Sequence, residues 1–207
     1  MIKLRSFTRL AVAGALAMAS LGLSACVTLL PKADPVTLYR FEAPTTAPPE
    51  TSRPPYNLLR TPVSMPRAAG ADRILTVTGT QVAYVAGARW VSPAATLFDE
   101  AVARAFQDVQ NSRAAARGDL GRPDFVLRLD VTSFETRYSA PGAVPTVYVR
   151  LNALLQRSSD RSVVASEHFE ASIPASENRV SAIVTAYDQA SSQVIGEMVA
   201  WVGRMAR

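Results

Sequence analysis

The chain holds one cysteine, Cys26, and one histidine, His168, in 207 residues. A lone thiol closes no internal disulfide. Zinc centres draw three or four ligands mainly from Cys and His, so one of each excludes a site of the usual kind. The sequence also lacks a glycine-rich phosphate loop, a Gly-x-Ser-x-Gly nucleophile elbow and carboxylates at metal-ligand spacing. Asp124, Asp130 and Glu135 stand near one another in sequence, but strand alternation scatters them between faces. Catalysis needs positioned acids, bases or nucleophiles, so these absences predict a protein that is not an enzyme, with no catalytic residue, no metal and no cofactor. Charged residues make up 19% of the chain and the surplus of +5 is spread along it. Nucleic-acid binding needs a concentrated basic patch or stripe, so no nucleic-acid partner is expected. No apolar run reaches the ~20 residues that cross a bilayer as a helix.

The apolar run nearest the start, from Leu10 to Leu23, covers about 14 residues behind Lys3, Arg5 and Arg9, and ends in Leu23-Ser24-Ala25-Cys26. A basic start, a short apolar stretch and small residues before a cleavage point read as a secretory signal. The last four residues resemble the bacterial lipobox. Cleavage is therefore expected between Ala25 and Cys26, with 1–25 removed as a signal peptide and Cys26 lipidated at the new N-terminus. An uncleaved membrane anchor ending near Cys26 is the simpler alternative. Stable anchoring takes more than one acyl chain, at ~0.8 kcal/mol per buried methylene, and a lipoprotein cysteine of this kind carries several, palmitate among them. Val27 stands where many enteric-type lipoproteins that stay in the inner membrane have aspartate, which implies the outer membrane, facing the periplasm. Removing residues 1–25 takes three of the 22 basic residues and none of the 17 acidic ones, so the formal charge falls from +5 to +2.

The remaining stretch of about 182 residues is the size of one domain on a tether, with 26–35 as the lipidated tether and 36–207 as the domain. Val36 to Phe41 alternates like an edge or first strand. Residues 42–70 contain seven of the 14 prolines, a density that forbids a helix and reads as a proline-rich insertion, a long surface connection or a ligand for a partner. Asp72 to Val85, with Ile74, Leu75, Val77, Val82, Tyr84 and Val85, reads as two short extended pieces parted at Gly79, or as one strand kinked there. Ser92-Pro93 marks a helix start, and Leu97, Phe98, Ala101, Val102, Ala105, Phe106 and Val109 give an amphipathic helix from Pro93 to about Ala116, stopped by Gly118 and Gly121. Trp90, just ahead, reads as a ring packed over the helix start or as a direct partner contact.

Phe125 to Val131 alternates, with Phe125, Leu127, Leu129 and Val131 on one face. A turn-rich stretch from Arg137 to Pro145 leads to a second strand with Val147, Val149, Leu151, Ala153 and Leu155 inward. A third strand, Val163 to Ser172, follows a polar turn, with Val163, Ala165, Glu167, Phe169 and Ala171 on one side. Short connections argue for an antiparallel meander. His168 alternates onto the face opposite Phe169, where it reads as solvent-facing or hydrogen-bonded. Residues 177 to 205 carry a helical stripe of Val180, Ile183, Val184, Tyr187, Ala190, Val194, Met198, Trp201 and Met205, fitted to cover a sheet or to assemble as a coiled coil. The fold class is α+β: a single domain, mainly an antiparallel sheet packed against two amphipathic helices, after a cleaved lipoprotein signal peptide.

The order of these elements, from the lipobox through Tyr39-x-Phe41, Ile74 to Tyr84, Gly87-Ala88-Arg89-Trp90 before a helix, a meander and a final helix with Trp201, resembles the ABC-type transport auxiliary lipoprotein family. The resemblance implies an adaptor beside an ABC transporter and a periplasmic MCE-domain protein, in systems that move lipids between the two membranes or maintain the outer one. It implies a body acting singly or as a homo-oligomeric ring, and no catalytic residues to carry over. Tyr138 and Pro141, in the turn at 137–146, are candidate partner-binding residues with Trp90, the alternative for the turn being an ordinary solvent-exposed hairpin. Two other readings are open: an outer-membrane lipoprotein regulating peptidoglycan synthesis through a protein partner, and direct lipid carriage in an apolar cavity between sheet and helices.

Overall fold

A computed structural model describes residues 35–43, 56–107, 112–115 and 122–206. The chain divides into Met1–Pro35 and Val36–Arg207, and the description is of the second part. Ala25, Cys26 and the prolines at 44, 48, 49, 54 and 55 lie outside the described residues.

The longest strand, β6 (Phe125–Tyr138), organises the sheet. Along one edge it pairs antiparallel with β7 (Thr146–Arg157), from Phe125 opposite Arg157 to Arg137 opposite Thr146. Two strands share its other edge. β2 (Tyr56–Arg60) runs parallel to its first part, with Leu58 opposite Phe125, and β3 (Arg73–Thr78) runs parallel to its last part, with Thr76 opposite Thr136. The chain between them fills the gap. Thr61 N donates to the Leu127 carbonyl at 3.0 Å, Ser64 N to that of Leu129 at 3.0 Å, and Val131 N to that of Ser64 at 2.8 Å. Beyond β3 lie β4 (Gln81–Trp90) and the edge strand β1 (Thr37–Tyr39), beyond β2 lies β5 (Ser112–Ala115), and beyond β7 lies β8 (Val163–Pro174). The eight strands form one mixed sheet, and its longest ladders, β6 with β7 and β7 with β8, are antiparallel.

Local chemistry accounts for the elements. Gly79, at φ +58°, takes the first of two turn positions between Thr78 and Gln81, where a tight hairpin needs positive φ. In β6, Phe125, Leu127, Leu129 and Val131 point inward as expected, and the register then shifts between Val131 and Ser133. A bulge of this kind inserts one residue and changes which side chains face in. Phe134 and Thr136 are consequently the next buried pair, so the strand continues to Tyr138 instead of ending near Val131.

Two helices, α2 (Ala94–Gln107) and α3 (Val180–Met205), follow the short turn α1 (Arg67–Gly70) in chain order. The α3 stripe packs against β7 and β8, and α2 packs beside α3. Five aromatic rings from five segments meet beneath them. Phe134 lies 4.6 Å from Tyr187, 5.4 Å from Phe41, 6.1 Å from Phe98 and 6.3 Å from Trp90, centroid to centroid. Edge-to-face contacts add Trp90 to Phe41 at 5.3 Å and Trp90 to Tyr187 at 5.2 Å, a spacing that contributes about 0.5–1.5 kcal/mol per pair beyond burial.

Three expectations need correction. The span 42–70 is not a surface connection throughout, because Tyr56–Arg60 is a strand between β5 and β6 with Leu58 fully buried. The helix expected to reach Ala116 gives way to β5, whose Ser112 to Ala115 pair with Tyr56 to Leu59; Val109, Gly118 and Gly121 lie outside the described residues. Val163 does not join the inward face of the third strand. A register shift sets it opposite Gln156 and leaves it 59% exposed. The helix start also differs in detail, since it is the Pro93 carbonyl that accepts from Thr96 N and Leu97 N, at 2.9 and 3.1 Å.

Candidate functional site

The turn joining β6 to β7 projects Pro141, Gly142 and Val144 into solvent. It is held from behind. The Tyr138 hydroxyl donates to Asn178 Oδ1 at 3.0 Å, Asn178 Nδ2 donates to the Gly142 carbonyl at 3.3 Å, and Ala175 N donates to the Pro145 carbonyl at 2.9 Å. Partial burial pushes the Tyr138 phenol pKa up, which keeps its hydroxyl a donor. Tyr138 and Pro141 therefore sit on one braced projection, and the brace, Asn178, comes from the connection between β8 and α3. Nothing in its local sequence sets Asn178 apart from any other polar loop residue.

Trp90 is not part of this projection. It is 2% exposed and locked among Phe41, Phe134 and Tyr187, which makes it the packed ring of the simpler expectation and removes it from any surface. Tyr187, fully buried on α3, accepts from Thr136 Oγ1 at 3.2 Å, and burial pushes its phenol pKa up.

Beside the turn, the sheet face away from the helices carries a polar network. The Tyr148 hydroxyl donates to Glu170, and Arg150 donates to the same carboxylate through Nε at 2.8 Å and Nη2 at 2.6 Å. The Tyr148 hydrogen bond, then that of Arg150, holds the Glu170 carboxyl below its usual value. Arg137 bonds Glu135 at 2.7 Å and stacks 3.8 Å above the Tyr148 ring. Farther along, an open groove of about 500 Å³ is lined by Thr61, Ser64, Arg128, Asp130, Asn152 and His168 among others. His168 is exposed, as its alternation required, and its Nδ1 lies 2.7 Å from Asn152 Oδ1. An amide partner orients an imidazole without the charge support a carboxylate would give. These surfaces present donors, acceptors and ion pairs suited to recognition of another molecule.

A second cleft, of about 370 Å³, lies where the N-terminal strap crosses the body, lined by Arg40, Phe41, Glu42, Leu97, Glu100 and Arg104 among others. The strap is tied down. Asp188 on α3 accepts from Glu42 N at 2.8 Å and Ala43 N at 2.7 Å, and Arg104 Nη2 donates to the Glu42 carbonyl at 2.9 Å. Among the described residues no three His, Cys, Asp or Glu side chains cluster as a metal site would require, and no helix is long and apolar enough to cross a membrane.

No curated protein is significantly similar to this chain in sequence. The crystal structure of protein XCC0632 from Xanthomonas campestris superposes with a TM-score of 0.73 at 33% identity, covering 80% of this chain and 94% of that one. The hypothetical protein CT253 from Chlamydia trachomatis shares the fold alone, with a TM-score of 0.54 at 10% identity over 73% of this chain and 98% of its own. The family model described as ABC-type transport auxiliary lipoprotein component matches residues 38–199. That span runs from β1 into α3 and takes in every ring of the aromatic core and the whole of the braced turn, and so the chain belongs to the ABC-type transport auxiliary lipoprotein family, whose members are envelope lipoproteins associated with ABC transporter components.

Proposed function

We propose that this protein is a non-enzymatic adaptor, held by acyl chains on Cys26 to the periplasmic face of the outer membrane, that assists an ABC transporter and an MCE-domain partner in moving lipids between the membranes or in maintaining outer-membrane integrity. The observation that carries the reading is the family match over 38–199 placed twelve residues after a lipobox-like Leu23-Ser24-Ala25-Cys26. The body supports it. Its recognition chemistry sits on exposed loops and one sheet face, while the layer between sheet and helices is filled by Phe98, Phe134, Leu151, Leu155, Tyr187 and Val194, each 0–1% exposed. Such filling leaves the adaptor role ahead of lipid carriage at those residues. Tyr138 and Pro141, on the braced turn, are the proposed partner contacts.

Mass spectrometry and affinity purification test this together. Protein isolated from membranes with its anchor intact is expected to begin at acylated Cys26 and to co-purify with transporter subunits and an MCE-domain protein. P141D, which alters only an exposed tip, is expected to lower that recovery several-fold with an unchanged unfolding temperature. Recovery of peptidoglycan synthases without any transporter subunit would overturn the proposal.

A further inference from the structure

Among the described residues, six large apolar side chains are exposed: Val36, Leu38, Val82, Val91, Val144 and Val163. Single exposed apolar residues are ordinary on soluble proteins. Three of these six, however, fall on one small area. Leu38 registers with Arg89 across the parallel pair of β1 and β4, and Val91 N donates to the Tyr39 carbonyl at 2.7 Å. Tyr39 and Trp90, also in register, turn inward with Trp90 buried. Strand alternation therefore puts Val36, Leu38 and Arg40 on the outward face of β1, beside Arg89 and Val91 on that of β4. Val82, Val144 and Val163 stand apart, at the β3–β4 hairpin, the β6–β7 turn and the start of β8.

The charges beside the patch carry a small positive surplus. Arg40 pairs with Glu42, Arg89 pairs with Asp72 at 2.7 Å, and Arg73, in register with Arg89, stacks 3.8 Å above the Tyr84 ring. Glu100 and Arg104 line the cleft beside Arg40 and Val91, so four guanidiniums stand against three carboxylates, a surplus of one positive charge around three aliphatic side chains. Arginines flanking apolar residues suit the boundary of a lipid layer, where aliphatic groups enter and guanidiniums stay at headgroup level.

Chain length names the occupant. Ten residue steps separate Cys26 from Val36, and a chain reaches at most ~3.6 Å per residue, so Val36 stands no more than about 36 Å from the anchored cysteine. We infer that the outward face of β1 and the adjoining end of β4 seat on the phospholipid surface that holds the acyl chains, Val36, Leu38 and Val91 entering the interface and Arg40 and Arg89 meeting anionic headgroups. The inference rests on acylation of Cys26 and adds an orientation to it: the body lies against the membrane by one edge of its sheet, and the opposite edge, β8, faces away.

The test uses full-length protein purified from membranes and placed in vesicles of phosphatidylethanolamine and phosphatidylglycerol carrying a quencher on their headgroups. V36C and, as a control in the β7–β8 turn, D160C are labelled with a thiol-reactive fluorophore. Quenching at position 36 is expected to exceed that at position 160 several-fold, and L38E/V91E is expected to lower it to the control level while keeping the wild-type unfolding temperature. Equal quenching at both positions, or no effect of L38E/V91E, would overturn the inference and leave the anchor reading standing. The unsubstituted protein separates the two failures: dye uptake by it means a free Cys26 thiol, which removes the anchor and the seated orientation with it.

Discussion

Trp90 shows how one side chain changes role between sequence and fold. Ahead of a helix, an indole serves equally as a lid on the first turn or as a contact for a partner. Its ring planes stand at 82° to Phe41 and 90° to Tyr187 with 2% exposure, an arrangement only a core position gives. W90A is therefore expected to lower stability by about 3–5 kcal/mol, the cost of a large cavity, as measured by urea denaturation. A stability within 1 kcal/mol of wild type would contradict this packing. Glu170 offers a second measurement. Its carboxyl is held low first by the Tyr148 hydroxyl and then by Arg150, so its contribution is present above the ordinary glutamate pKa and fades as pH falls through the lower folded value. Carbon-detected NMR titration is expected to place the Glu170 midpoint below that of an unperturbed glutamate, and Y148F to raise it.

At the level of elements, the meander and both main helices were legible because each has a large apolar face whose period is unambiguous. β2 was not. Tyr56-Asn57-Leu58-Leu59-Arg60 is short and lies between Pro55 and Pro62, so proline content hid it. Pro62 follows the strand, where it removes no ladder donor, and pairing with β5 and β6 on its two sides supplies what propensity does not. Asp124 secures it further, its carboxylate accepting from Asn57 N at 2.8 Å and its own N–H donating to the Asn57 carbonyl at 2.9 Å. β5 is hidden in the sequence for a related reason. Ser112 to Ala115 are helix-compatible in sequence, and pairing with β2 outweighs a propensity difference of a few tenths of a kcal/mol. The phase changes in β6 and β8 come from bulges, which period-two patterning does not reveal. L58A is expected to cost about 2–5 kcal/mol in equilibrium unfolding, which a surface connection at this position would not do.

For the whole molecule, the candidate site was half legible. Tyr138 and Pro141 stand on one projection, but Asn178, which braces it from 40 residues beyond Tyr138, becomes visible only when β6 and α3 are brought together. The same long-range logic governs the N-terminal end. β1 has three residues of ladder against β4, Phe41 wedges into the aromatic core, and one carboxylate, Asp188, holds the next two amides. A pull on the chain at Val36 would thus travel through these three fastenings in series, the shortest first. Tension on that end would strip the three-residue β1 ladder from β4 while the Phe41 wedge and the Asp188 clasp still hold, so the strand would yield before the domain behind it opens.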